Sequence, residues 1–186
     1  TWVTVHPTGS SRPVASNLTL AAGRTIANTV LVAPGSNGRI RLYQHAGAAH
    51  IAVDVLGWFP TGSQLTPLTP ARLLDTRPGG QTVDGNGSGA GAPDGPATVT
   101  VPLSGRGGVP ASGVTAVAVN VTAVGADGTG YVTAFAGGTA RPATSTLNLV
   151  DSAPAVNLAI VPVGAAGTLQ LYVDRPVVHL VVDVVG

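Results

Sequence analysis

Cysteine, methionine, lysine and glutamate are all missing from this chain of 186 residues. Without cysteine there is no disulfide and no thiolate metal site. Without lysine and glutamate, all nine cations are arginine and all eight carboxylates are aspartate. Lys, Glu and Met are good helix formers, and Val, Thr, Gly and Pro stand in their place, which predicts an all-β chain. Charge is also scarce. Charged residues make up 9% of the chain, with a net charge of +1, against about 25% in ordinary globular proteins. Nothing here tracks a phosphate backbone, so nucleic acid is not an expected partner. Apolar runs break at Asp, Asn or Gly within about ten residues, too short for a membrane span. A hydrophobic content of 44% speaks against disorder. A nearly neutral, charge-poor surface disfavours a concentrated free monomer and predicts self-association with identical subunits or adjacent repeats. No signal peptide is recognisable, and the chain opens on a strand-like WVTV, as a mature product or an excised fragment would.

What is present is a repeat. At an offset of 129 residues, residues 1–57 lie on 130–186 without a gap, and nineteen of the 57 positions are identical. The identities include Arg12/Arg141, Asn28/Asn157, Tyr43/Tyr172, His50/His179 and Asp54/Asp183. Such a period is too long for a solenoid turn and suits one domain per repeat. The chain therefore holds about one and a half repeats. A second-half segment of five strands spans 1–60 (segment B) and a linker spans 61–70. A complete repeat spans 71–186, with a first half at 71–129 (segment A) and a second half at 130–186 (segment B′). Alternation and turn punctuation predict strands in B near 1–6, 16–20, 26–33, 38–44 and 49–56. In A they fall near 71–76, 97–103 and 114–124, and B′ repeats those of B. GSNG (35–38) and GAAG (164–167) are turns at the same repeat position. Short, closely spaced strands with Gly/Pro turns predict antiparallel β-sandwich modules, Ig-like or jelly-roll-like with Greek-key connections.

The repeated strands IAVDVL (51–56) and LVVDVV (180–185) each carry an aspartate in an apolar run. His50 and Asp54 share a strand face but stand roughly 13 Å apart, too far to be a catalytic pair. The same holds for His179 and Asp183. A carboxylate taken out of water needs a partner, and the planar fork of arginine serves best. Arg12/Arg141, which repeat in phase, and Arg77 are the candidates. In LLDTR, Leu73, Asp75 and Arg77 share a face by alternation, with Asp75 bracing a turn or an arginine. All eight of these polar residues read as structural. The twenty residues after Pro78 lack strand character, and their DGNGSG opens like a calcium loop through Asp84, Asn86 and Ser88. Only Asp94 could supply the distal carboxylate, so the competing expectation is a mobile glycine-rich loop without a cofactor. Trp2, Tyr131, Trp58 and Phe59 are candidates either for stacking on a sugar or for packing. No nucleophile elbow, zinc-protease helix or phosphate loop is present, and the chain does not read as an enzyme.

LTPLTPARLLDTRPGG (65–80), SGRGGVPASGVTAVAVNVTAV (104–124), the YVTAF…RP run and the closing H-x-x-V-D-V-x-G together resemble a tandem repeat. That repeat belongs to large secreted and surface proteins of actinobacteria and other high-GC bacteria. The resemblance covers essentially the whole chain. It implies an extracellular or cell-surface β-rich module and carries no catalytic residue with it. The expected function is a non-catalytic structural protein, a repeat unit of a surface layer, stalk or filament that assembles head to tail by strand complementation. The alternative is a polysaccharide- or cell-wall-binding adhesion module of a secreted multidomain protein.

Overall fold

A computed structural model describes residues 1–14, 16–60, 62 and 65–186. The expected linker at 61–70 falls partly outside the described residues, at 61, 63 and 64. The chain is nearly all β and divides into two compact units, 1–53 and 54–186.

The larger unit is a sandwich of two four-stranded antiparallel sheets. Segment A supplies β4 (Ala71–Asp75), β5 (Ala97–Pro102) and β6 (Ala116–Val124). Segment B′ supplies β7 (Gly130–Ala136), β8 (Leu147–Leu149), β9 (Ala155–Pro162), β10 (Thr168–Val173) and β11 (His179–Val184). The strand orders are β5-β10-β7-β8 and β4-β11-β6-β9. Each sheet therefore mixes the two halves of the repeat. β6 lies between β9 and β11, and β11 lies between β6 and β4. Alternation aims one face of every strand inward. Val117, Val119 and Val121 of β6 meet Leu180, Val182 and Val184 of β11, and Leu169, Leu171 and Val173 of β10 face them from the other sheet; all are fully buried.

The smaller unit has one three-stranded sheet, ordered β2-β1-β3: β1 (Trp2–Pro7), β2 (Leu18–Thr19) and β3 (Ile40–Gln44). These are the repeat counterparts of β7, β8 and β10, paired in the same order. Local details also return. Asn28 donates to the carbonyl of Asn17, as Asn157 donates to that of Thr146. The amide of Val5 donates to the Asn17 side chain, as that of Ala134 does to Thr146. A Cβ on Gly35 would collide with the backbone of Thr8, and one on Gly164 with the backbone of Gly137. Glycine is thus required twice at one repeat position by close approach of two stretches of backbone.

Three strands, not five, form in segment B among the described residues. Residues 26–33 and 49–56 have no strand assignment, although their counterparts are β9 and β11. The physical reason is partnership. β9 and β11 pair only with strands of segment A, and the segment A at 71–129 is taken up by segment B′.

Candidate functional site: an ion-pair cluster and its unpaired repeat

In the larger unit, β4 and β11 run antiparallel with Leu74 opposite Val182 and Arg72 opposite Asp183. One step on β11 matches two on β4, so Leu73 is the extra residue of a β-bulge. The slip has two effects. Leu73 and Leu74, adjacent in sequence, both enter the core. Arg72 and Asp75, three apart and so on opposite faces of a regular strand, come together.

Four charges meet there. Arg72 grips Asp183 with both prongs of its fork, Nε to Oδ1 at 2.8 Å and Nη2 to Oδ2 at 3.2 Å. Its Nη1 donates to Oδ2 of Asp75 at 3.1 Å. Arg77 donates to the same carboxylate from Nε (2.9 Å), Nη2 (2.7 Å) and its backbone amide (3.2 Å). Asp75 is fully buried, while Asp183 is 25% exposed. The hydrogen bonds of Arg77 hold the Asp75 carboxyl down to about 2, against the upward push of its burial. Asp183 raises the Arg72 pKa in turn. Next to this cluster, Nδ1 of His179 lies 3.0 Å from the Thr76 carbonyl, and the Thr76 hydroxyl accepts the Leu180 amide at 2.8 Å. Thr76 thus clamps the start of β11.

This arrangement corrects the sequence reading in two ways. Asp183 and His179 project from the outer face of β11. The partner of Asp183 is Arg72, not Arg141 or Arg77. Leu73 does not share a face with Asp75 and Arg77, because alternation does not register the bulge. Arg12 and Arg141 lie instead over aromatic rings: Arg12 is 3.8 Å from the Tyr43 ring centre and 5.6 Å from that of Trp2. Arg141 is 4.0 Å from that of Tyr172 and donates to the Tyr131 hydroxyl at 2.9 Å. Trp2 also stacks on His45 at 4.8 Å. Guanidinium and imidazole therefore cover ring faces of Trp2, Tyr43 and Tyr172 that a sugar would use. Trp58 and Phe59 are exposed.

The calcium expectation meets a guanidinium. Arg106 donates to both oxygens of Asp84 at 2.6 and 2.7 Å, and also to the carbonyls of Asn86, Pro102 and Leu73. Ser88 accepts the Thr82 amide. Among the described residues, no three acidic or histidine side chains converge on a metal position, and Asp94 does not join Asp84. Nor is the glycine-rich stretch loose. The Asp75 amide donates to the Gly87 carbonyl, the Asp75 carbonyl accepts the Gly89 amide, and the Val83 amide donates to the Arg72 carbonyl, so the loop runs along the free edge of β4. Arg72, Thr76 and Arg106 carried no sequence signal. An arginine amid glycines gives no indication of what it will reach, and Arg72 depends on the bulge.

In segment B the same residues lack these partners. His50 and Asp54 are exposed, and among the described residues no arginine pairs with Asp54. The inward-facing series is exposed as well. Ile51, Val53 and Val55 are 44%, 56% and 84% exposed, where Leu180, Val182 and Val184 are at 0%. Ile40 and Leu42 are exposed where Leu169 and Leu171 are fully buried. Large contiguous exposed apolar patches are uncommon on monomeric proteins. Asp75, held ionised and saturated with donors, is poorly suited to abstract or deliver a proton. The arrangement can pin strands. Against protein-family models and against curated proteins, the chain finds no match.

Proposed function

We propose that this chain is a non-catalytic structural module of an extracellular repeat protein, a unit of a surface layer, stalk or filament held together by pairing between first-half and second-half segments. The observation that carries this reading is the pair of strand-patterned stretches at 26–33 and 50–56, the second exposed throughout, whose counterparts in the larger unit form β9 and β11. The low charge content agrees, since few charges oppose close approach of copies. The charge clusters agree too, since each is spent on holding strands or a loop. Open apolar edges associate unless they are covered. Sedimentation across a hundredfold dilution series tests the reading, with electron microscopy of the concentrated sample. The expected result is mass that grows with concentration and elongated particles. A strictly monomeric chain at every concentration would overturn the assembly role.

A further inference from the structure

Charge is divided unevenly between the two units. Residues 1–53 carry four arginines and no aspartate, while residues 54–186 carry five arginines and all eight aspartates. Inside the smaller unit, Arg12 and Arg41 meet around an open hollow of about 440 Å³, whose walls also include His6, Ser10 and Tyr43. We propose that this hollow binds a phosphate group, either as the free ion or as a monoester on a small molecule. The site goes beyond the structural role proposed above and does not depend on it.

β1 and β3 build the hollow. His6 stands directly opposite Arg41 in their antiparallel register, and Thr4 opposite Tyr43, so His6, Arg41 and Tyr43 share one face of the sheet. His6 is buried and forms the floor, with Nδ1 3.2 Å from the Pro7 carbonyl and 3.4 Å from the Ser10 hydroxyl. Ser10, Arg12 and Arg41 form an exposed rim. The Arg12 guanidinium lies over the Tyr43 ring. Stacking uses the flat face of the fork and leaves its edge donors for a ligand, in a group already ordered before the ligand arrives. Among the described residues, neither Arg12 nor Arg41 has a carboxylate partner. Two cations match the charge of about −1.5 to −2 that a phosphate monoester carries at pH 7, where a carboxylate carries one. Two forks also match its three free oxygens.

The same half-segment in the larger unit lacks this hollow's chemistry. Arg141 stacks on Tyr172 there as well, but it donates to the Tyr131 hydroxyl. Trp2 holds the repeat position of Tyr131, and its side chain carries no acceptor. Phe135 and Gln170 stand opposite each other at the positions of His6 and Arg41. Three substitutions thus turn a self-contained stack into a cationic hollow.

The test titrates the full chain with inorganic phosphate and with glycerol phosphate at constant ionic strength, followed by amide chemical shifts. Acetate is the carboxylate control. Saturable 1:1 shifts centred on His6, Ser10 and Arg41 are expected, with acetate at least about fivefold weaker because it carries less charge. Tighter binding of the ester than of the free ion identifies the ester as the source, and the reverse identifies the ion. The double variant His6→Phe, Arg41→Gln installs the pair that the larger unit already packs, and is expected to weaken phosphate binding at least about tenfold. Where it does not fold, Arg41→Gln alone changes only an exposed side chain and is expected to weaken binding about fivefold. Arg24, an arginine of the same unit, does not line the hollow, and Arg24→Gln is expected to leave the affinity unchanged. Shifts that never saturate, acetate binding as tightly as phosphate, or equal losses in Arg24→Gln and Arg41→Gln would each overturn the proposal.

Discussion

Arg72 is the residue on which the most interactions converge. It neutralises Asp183 and shares Asp75 with Arg77, so its removal leaves one carboxylate unpartnered and weakens the hold on another that is fully buried. Arg72→Ala is expected to cost about 1–3 kcal/mol, because losing one partner of a charged, partly buried group costs more than the pair contributes net. Urea midpoints would show it, and Asp54→Asn serves as the near-neutral counterpart in segment B. The pH dependence follows from Asp75. Its folded pKa of about 2 lies below the ordinary 3.8, so the unfolded chain binds the proton more readily. The stabilisation is fully present above about pH 4 and is lost as pH falls from 4 towards 2. Its size is on the order of 2 kcal/mol before allowance for Arg77, whose exposed fork is partly screened. Midpoints measured from pH 6 to pH 2 should fall through that window, and the fall should flatten in Arg77→Ala. A slope untouched by that substitution would place the acid sensitivity elsewhere.

Strands are legible in this sequence as far as their own residues determine them. The alternation of TLQLYV and AVAVNVTAV marks β10 and β6 because one face of each must be dry. The same alternation marks IAVDVL, and there no strand forms, since a strand also needs a neighbour to satisfy its amides and to cover its face. Pattern carries the first requirement and is silent on the second. The need of Asp183 for an arginine was legible from the cost of an unpaired charge. Which arginine was not, because the bulge at Leu73 changes the faces on which Arg72 and Asp75 emerge. The loop at 78–95 is a further case. Its glycines suggested mobility, and Arg106, with five donated hydrogen bonds, ties it to β4. Arg106→Ala is therefore expected to cost about 2–4 kcal/mol and to speed amide exchange at residues 82–91 ahead of exchange in β6 and β10. Equal protection in the variant would mean that the backbone bonds along β4 hold the loop unaided.

The whole molecule repeats one half-segment in two settings, so it contains its own control. Segment B′ has its first half and closes a sandwich. Segment B shares a third of its sequence with B′ and reproduces its sheet order, its Asn28 hydrogen bond and its tight turn, yet leaves five inward side chains at least partly in water. Full burial of such a side chain is worth about 1.5–3 kcal/mol, so partial exposure of five forgoes on the order of 5 kcal/mol. That approaches the entire stability of a small domain. The two units are therefore expected to melt separately, the smaller one first and with the lower enthalpy, since enthalpy scales with the residues that unfold cooperatively. Calorimetry should resolve two transitions, and amides of β1 and β3 should exchange well before those of β6, β10 and β11. Val182→Asp would lower only the upper transition, because its side chain sits at 0% exposure in the closed core. Val53→Asp would leave both nearly unmoved, because its side chain already faces solvent. A single transition, or equal sensitivity at the two sites, would mean that segment B gains its cover within the isolated chain, and the asymmetry between the two copies of the half-segment would then lose its energetic meaning.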